Sequence, residues 1–183
     1  MTGIAEAWLA DALLQFRKYK DLGDAALAQV GDADFFRTID PESNSVALVV
    51  KHVANNMRSR WTDFLTTDGE KPDRHRDSEF EREAADSRGS LLARWEDGWA
   101  RTFAAIEPLR EADLLTEVRI RGQAHTVMQA VHRQLTHYAY HIGQIVFLAK
   151  HFAGGRWTSL SIPKGRSKDF EVGKDGTLYR PSA

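Results

Sequence analysis

Apolar residues recur at helical spacing in four separate stretches of the chain, and each stretch predicts a long helix. The first stretch covers about residues 4–30, and Gly31 follows it as a stop signal. The second begins after an N-cap at Ser43 or Ser45 and ends near Thr67. Both stretches concentrate their apolar side chains on one side, so each helix is expected to bury one face against a neighbour.

Two further stretches lie in the second half of the chain. The third runs from Ser87 or Ser90 to Ile106 and carries a strongly aromatic stripe, which favours a place in the core. The fourth begins at a capping box that starts with Thr126 and continues to about Phe152. Four long helices without a strand-rich block predict an all-α fold, and specifically a four-helix bundle.

The connections between these helices are expected to be irregular. Residues 68–86 are polar and contain a glycine and a proline, which is typical of a long crossover with at most one loose helical turn. Residues 115–125 include a short alternation of apolar and polar side chains that favours an extended excursion. Residues 153–183 are interpreted as an irregular C-terminal extension of a single domain that spans residues 1–183, with the bundle at about residues 4–152.

Composition and charge narrow the range of functions. The 183 residues are 42% hydrophobic and carry 25 basic and 26 acidic side chains, so a net charge of -1 offers no field to attract nucleic acid. The chain has no cysteine, which excludes a protein thiolate as nucleophile or metal ligand. Glu6 and Asp11 interrupt the first apolar stretch, and no apolar run reaches membrane-spanning length. A cytoplasmic protein that binds a small molecule, without nucleic acid or membrane, is therefore expected.

The most informative chemistry lies in three histidines. His137 and His141 stand one helical turn apart in the fourth predicted helix, so their imidazoles share one face. If packing brings His52 of the second predicted helix opposite them, three neutral nitrogen ligands are available for one divalent metal. Three protein ligands leave coordination positions open, as in catalytic sites. The alternative interpretation is a set of core histidines that are hydrogen-bonded to carbonyl groups.

Several polar residues near this pattern are weaker candidates. Asn56, four residues after His52, and Gln144, three residues after His141, are placed to orient a ligand or a water molecule, although such residues are usually only hydrogen-bonded within the protein. His125 precedes the cap of the fourth predicted helix, where a supporting contact to the site is possible and a purely structural role is commoner. These three residues are therefore candidates for support of the site rather than for direct metal binding.

The histidine pattern resembles that of the DinB-like (YfiT-like) metal-binding four-helix bundles, and the likeness spans almost the whole chain. The resemblance rests on His52 in the second predicted helix and on the H-x-x-x-H pair of the fourth. In that family these three positions bind a divalent metal, often zinc or nickel, and water completes the coordination. The resemblance implies that His52, His137 and His141 are the metal ligands and that the protein is a homodimer.

The closest likeness is to an uncharacterised bacterial branch of this family, in which runs similar to residues 40–45, 60–72 and 159–163 also occur. Characterised relatives include S-transferases that use bacillithiol or mycothiol, a mycothiol-dependent maleylpyruvate isomerase and candidate metal-dependent hydrolases. The resemblance thus implies a thiol-dependent S-transferase whose metal lowers the pKa of an external thiol. A metal-dependent hydrolase and a non-catalytic stress or binding protein stabilised by its metal are the alternatives.

Two arginines precede the fourth predicted helix. Thiol cofactors of the kind used by these relatives carry carboxylates, so Arg121, and with it Arg119, is a candidate for contact with an anionic cosubstrate. The alternative is that both side chains are merely solvated, as basic residues in loops usually are.

Overall fold

The computed structural model of the protein describes residues 3–173 and 178–179. Helices dominate these residues, in agreement with the predicted all-α class. The helices are α1 (Ile4–Leu27), α2 (Asp32–Phe35), α3 (Val46–Trp61), α4 (Arg88–Ile106) and α5 (Val127–Ala153). Two short antiparallel hairpins accompany them, formed by β1 (Glu117–Ile120) with β2 (Gln123–Thr126) and by β3 (Glu171–Val172) with β4 (Leu178–Tyr179).

The four predicted long helices correspond to α1, α3, α4 and α5. Their starts agree with the predicted caps, because the side chains of Ser45, Ser87 and Thr126 each accept a hydrogen bond from a backbone N–H of the first turn. The end of α3 was predicted too late. The helix stops at Trp61 because the backbone then becomes extended, and Asp63 adopts a left-handed conformation with φ 47°.

The long helices pack around one core, with α1 against α5, α3 against α4, and α3 also against α5. Phe16 and Trp99 are fully buried at the centre of this core, as expected for the aromatic stripe of α4. At Gly98, α4 approaches α3 so closely that a Cβ atom would lie 2.9 Å from Met57 Cε and 3.3 Å from the carbonyl oxygen of Ala54. The pair α3 and α4 therefore depends on a residue without a side chain at this point.

The connections are more ordered than their composition suggests. The crossover between α3 and α4 contains the predicted single loose turn, a 3-10 helix at Asp77–Phe80. The expected extended excursion before α5 is the β1–β2 hairpin, whose turn has positive φ at Arg121 and Gly122. Strands β3 and β4 correct the prediction that residues 153–183 are wholly irregular, although positions 174–177 and 180–183 of that segment lie outside the described residues.

No helix among residues 3–173 and 178–179 combines the length and the apolar character needed to cross a membrane.

Candidate metal centre

Three imidazoles meet where α3 packs against α5. The Nε2 atom of His137 lies 3.3 Å from Nε2 of His52 and 3.1 Å from Nε2 of His141. Two nitrogens bound to one ion at about 2.0–2.1 Å, with an angle of roughly 90–110° between them, would be about 2.8–3.4 Å apart. The observed separations match this spacing, so the three side chains that the sequence singled out have the geometry of a metal-binding cluster.

Two of the three rings are oriented by hydrogen bonds on their far side. Nδ1 of His52 donates to a carboxylate oxygen of Glu79 at 2.8 Å, and Nδ1 of His141 donates to Oε1 of Gln144 at 2.8 Å. Because Nδ1 carries the proton in both rings, Nε2 presents its lone pair to the cluster. Nδ1 of His137 is buried and has no partner among the described residues. The supporting contact predicted for Gln144 is therefore present.

Glu79 is a part of the site that sequence reasoning missed. Its carboxylate is 1% exposed and receives two hydrogen bonds from Arg74, at 2.8 and 2.9 Å, besides the bond from His52. Burial alone would raise the pKa of Glu79, but the hydrogen bonds from His52 and Arg74 outweigh it and hold the pKa below its usual value. A charged carboxylate therefore faces the His52 ring.

The two histidines of α5 strongly resist protonation. Burial, followed by the neighbouring charges of His141 and His52, lowers the pKa of His137 to about 3. Burial also lowers the pKa of His141 to about 4, although its hydrogen bond with Gln144 opposes the shift. At neutral pH both rings are therefore uncharged, and no proton competes with a metal ion for their lone pairs.

A cavity of about 410 Å³ opens next to the cluster, with His52 and His137 in its wall. The predicted candidate Arg121 lies in this wall, whereas Arg119 of the same hairpin bonds to the carbonyl oxygen of Gly122 and to Glu117. The polar side chains of the wall include five guanidinium groups and no carboxylate. These arginines are Arg60, Arg74, Arg76, Arg121 and Arg133.

A buried polar network joins α3 to α5 beside the cluster. The Oδ1 atom of Asn56 accepts hydrogen bonds from Gln134 Nε2 at 2.6 Å and from the Tyr138 hydroxyl at 3.2 Å. The indole N–H of Trp61 donates to the same hydroxyl at 3.0 Å. Asn56 thus lines the cavity, and its bonds run to this network rather than to the histidines. Its predicted role in orienting a ligand or a water molecule stays a prediction.

The structure does not bring His125 to the cluster. Its Nδ1 bonds with the carbonyl oxygen of Gln123, and the side chain lines a separate depression beside the hairpin. The bond of His125 thus stays within its own hairpin, and the structure gives no contact through which this residue would support the cluster. The remaining histidines, His75, His132 and His151, are exposed.

Comparison with known proteins gives one match. A family model described as "Protein of unknown function (DUF1572)" matches residues 3–166, which is nearly the whole chain. No curated protein and no solved structure matches the chain.

Proposed function

Because the chain belongs to the DUF1572 family, we propose that it shares the DinB-type four-helix bundle and binds one divalent metal through His52, His137 and His141 as a thiol-dependent S-transferase. The observation that carries this proposal is that Nε2 of His137 lies at the spacing of metal ligands from Nε2 of both His52 and His141, with the ligand atoms of all three residues within 4.8 Å of one another. Three imidazoles suit zinc, nickel, copper and iron alike, and the DinB resemblance favours zinc or nickel. The homodimer implied by the same resemblance stays a prediction.

A divalent ion with open positions lowers the pKa of a thiol that binds to it, so that the thiolate is present at neutral pH. The thiol must come from outside, because the chain has no cysteine. Its sulfur forms a bond to the electrophilic carbon, the leaving group departs with the electron pair of the broken bond, and the thiol proton passes to water. In this proposal the reaction takes place in the cavity beside His137, and Arg121 in the cavity wall would bind an anionic group of the thiol.

Glu79 acts in this proposal as a positioning residue. It keeps the proton of His52 on Nδ1 and raises the basicity of Nε2, as carboxylates behind metal-binding histidines commonly do. Arg74 in turn fixes the carboxylate through two hydrogen bonds. The ring of His52 is thereby held towards the cluster before any ligand binds.

A metal-dependent hydrolase is supported less well. Such an enzyme needs a general base near the attacking water. Among the described residues, Glu79 is the carboxylate that contacts the cluster, and both of its oxygens already accept hydrogen bonds. Its lowered pKa also makes it a weak base.

The test is elemental analysis of protein purified without a histidine tag, followed by activity assays. We expect about one zinc or nickel ion per chain in the wild type and almost none in His141→Ala. His132→Ala, an exposed histidine on the same helix, is the matched control and should keep its metal. Wild-type protein that stays empty after zinc or nickel is added would overturn the proposal.

The metal-loaded protein is then assayed with bacillithiol, mycothiol and an electrophile such as a chlorodinitrobenzene. Turnover that needs both thiol and metal supports the transferase. Turnover of ester substrates without thiol would favour the hydrolase instead, and a stoichiometric metal without any turnover would favour the non-catalytic alternative.

A further inference from the structure

Arg60, at the end of α3, is a buried cation whose one ion-pair contact among the described residues is long. The residue is 3% exposed, and its Nε and Nη1 atoms have no hydrogen-bond partner among the described residues. The nearest carboxylate oxygen, from Glu70, lies 3.9 Å from Nη2, which is beyond hydrogen-bond distance. Buried arginines are normally paired, since a desolvated charge without a partner is costly.

A comparison within the chain shows what a purely structural arginine looks like here. Arg88 fixes the end of α1 by donating to the carbonyl oxygens of Leu27 at 3.0 Å and Val30 at 2.5 Å. Arg60 has no such bond, although Gly69 lies so close to it that a Cβ there would be 2.4 Å from Nη1. The contact with Gly69 explains why the Arg60 side chain lies where it does. It does not explain why a positive charge is buried there without a hydrogen-bond partner for Nε or Nη1 among the described residues.

The surroundings of Arg60 add further positive charge. Arg74, in the same cavity wall, pairs with Glu79 and with Glu70. Glu70 also lies 3.7 Å from Arg121 and 3.9 Å from Arg60, so three guanidinium groups share this one carboxylate. Arg133 and Arg76 also line the wall, and neither forms an ion pair with any residue that the structure describes. A divalent ion at the histidines would add two more positive charges. Since the whole chain has a net charge of only -1, this excess is local to the cavity and favours an anionic occupant.

We propose that the substrate bound beside the histidines carries carboxylate or phosphoryl oxygens, and that Arg60, Arg121 and Arg133 form the subsite that binds them. Guanidinium groups match either oxyanion because their N–H groups form a planar fork. Gln134 and Thr136 also line this wall, but the Gln134 amide group donates to Asn56 and Tyr138 and the Thr136 hydroxyl donates to the carbonyl oxygen of Arg133. The arginines are therefore the donors left for an anion. The inference rests on the proposed function for the reaction, while anion binding itself needs only the arginines.

The cavity also limits the size of the substrate. A volume of about 410 Å³ lies within the range of ordinary small-molecule sites. This volume suits an organic anion of modest size, in line with the absence of a basic surplus over the chain as a whole. The substrate class is therefore a small organic acid or phosphate ester with an electrophilic carbon or a thiol.

Calorimetric titration of the full-length, chelator-treated protein with inorganic phosphate and, separately, with succinate tests the subsite. We expect saturable binding of at least one anion, and about tenfold weaker binding in Arg121→Gln and in Arg133→Gln. Arg60→Lys keeps the buried charge but loses the fork, so it should also weaken binding. Tighter binding of phosphate identifies a phosphoryl group as the natural ligand group, and tighter binding of succinate identifies a carboxylate.

Arg119→Gln is the matched control, because Arg119 belongs to the same hairpin and does not line the cavity. His141→Ala should still bind the anion, which separates a failure of the metal site from a failure of the arginine subsite. The inference is overturned if neither anion binds up to roughly 10 mM. It is also overturned if Arg119→Gln weakens binding as much as the two cavity variants do.

Discussion

At the residue scale, the site depends on where the protons of three imidazoles lie. Glu79 and Gln144 hold the Nδ1 protons of His52 and His141, so both Nε2 lone pairs point towards the cluster. Nδ1 of His137 has no such partner among the described residues. Metal affinity should therefore respond to a change at Glu79 even though this residue is not among the proposed ligands.

We expect Glu79→Gln to weaken zinc binding by about 10- to 100-fold, because an amide oxygen supports the His52 proton less strongly than a carboxylate does. Competition with a chelating dye measures this affinity. Glu81→Gln, an exposed neighbour in the same crossover, is the control and should bind as the wild type does. The role given to Glu79 would be wrong if its variant bound zinc within twofold of the wild type while keeping the wild-type melting temperature of the metal-free protein.

Sequence reasoning found the histidines and missed Glu79 for a physical reason. The spacing of His137 and His141 is a local property of one helix, so it is readable from the chain. Glu79 lies in an aperiodic crossover whose position is set by distant contacts. Lys51 of α3 holds that crossover through a buried ion pair with Asp86 at 2.8 Å. No local sequence pattern predicts an ion pair between residues 35 positions apart.

At the element scale, the contact between α3 and α4 leaves no free space at one glycine. Gly98 has no room for a methyl group because Met57 and the backbone at Ala54 lie against it. Gly143 on α5 is also within a helix, but a Cβ atom there would meet nothing within 4 Å. The two glycines thus offer a matched pair with opposite expectations.

We expect Gly98→Ala to lower the free energy of unfolding by about 1–2 kcal/mol, since the methyl group overpacks the helix contact by more than the gain in helix propensity. Gly143→Ala should instead raise it by about 0.5–1 kcal/mol. Urea denaturation of the metal-free proteins measures both changes. Equal effects of the two substitutions would contradict the close approach of α3 and α4.

Whether a helix or hairpin could be predicted from the sequence depends on whether local or distant contacts fix it. Helix starts were predicted well because an N-cap side chain bonds within its own turn. The hairpin was foreseen only as an extended segment. Its turn is fixed from outside, where the carboxylate of Asp68 accepts hydrogen bonds from the backbone N–H groups of Arg121 and Gly122. That contact also places Arg121 at the cavity.

At the scale of the whole molecule, the proposed metal would link two helices that are far apart in the sequence. One ligand comes from α3 and two from α5, so an ion at the cluster binds the folded chain and not the unfolded one. Metal binding should therefore raise the free energy of unfolding of the whole chain, whether or not the protein is catalytically active.

We expect zinc or nickel at about 1,000 times its dissociation constant to stabilise the fold by about 4 kcal/mol. For a chain of this length the gain corresponds to a rise in Tm of roughly 8–16 °C. Differential scanning calorimetry of chelator-treated protein, with and without added metal, measures it. His137→Ala should show no rise, and an unchanged Tm in the wild type would contradict a site formed only in the folded state.

The polar network between α3 and α5 has a consequence for how the protein can be altered. Sliding one helix by a single residue moves it about 1.5 Å, several times the roughly 0.2 Å tolerance of a metal–nitrogen bond. Such a slip would also break the hydrogen bonds among the buried polar groups of Asn56, Gln134 and Tyr138. Because all of these bonds are lost together, the two helices are held in a single alignment. The exposed side chains of Arg76 and Arg133 belong neither to this network nor to an ion pair with any described residue. Substitution of these two cavity residues for a new substrate should therefore leave the alignment of the histidines unchanged.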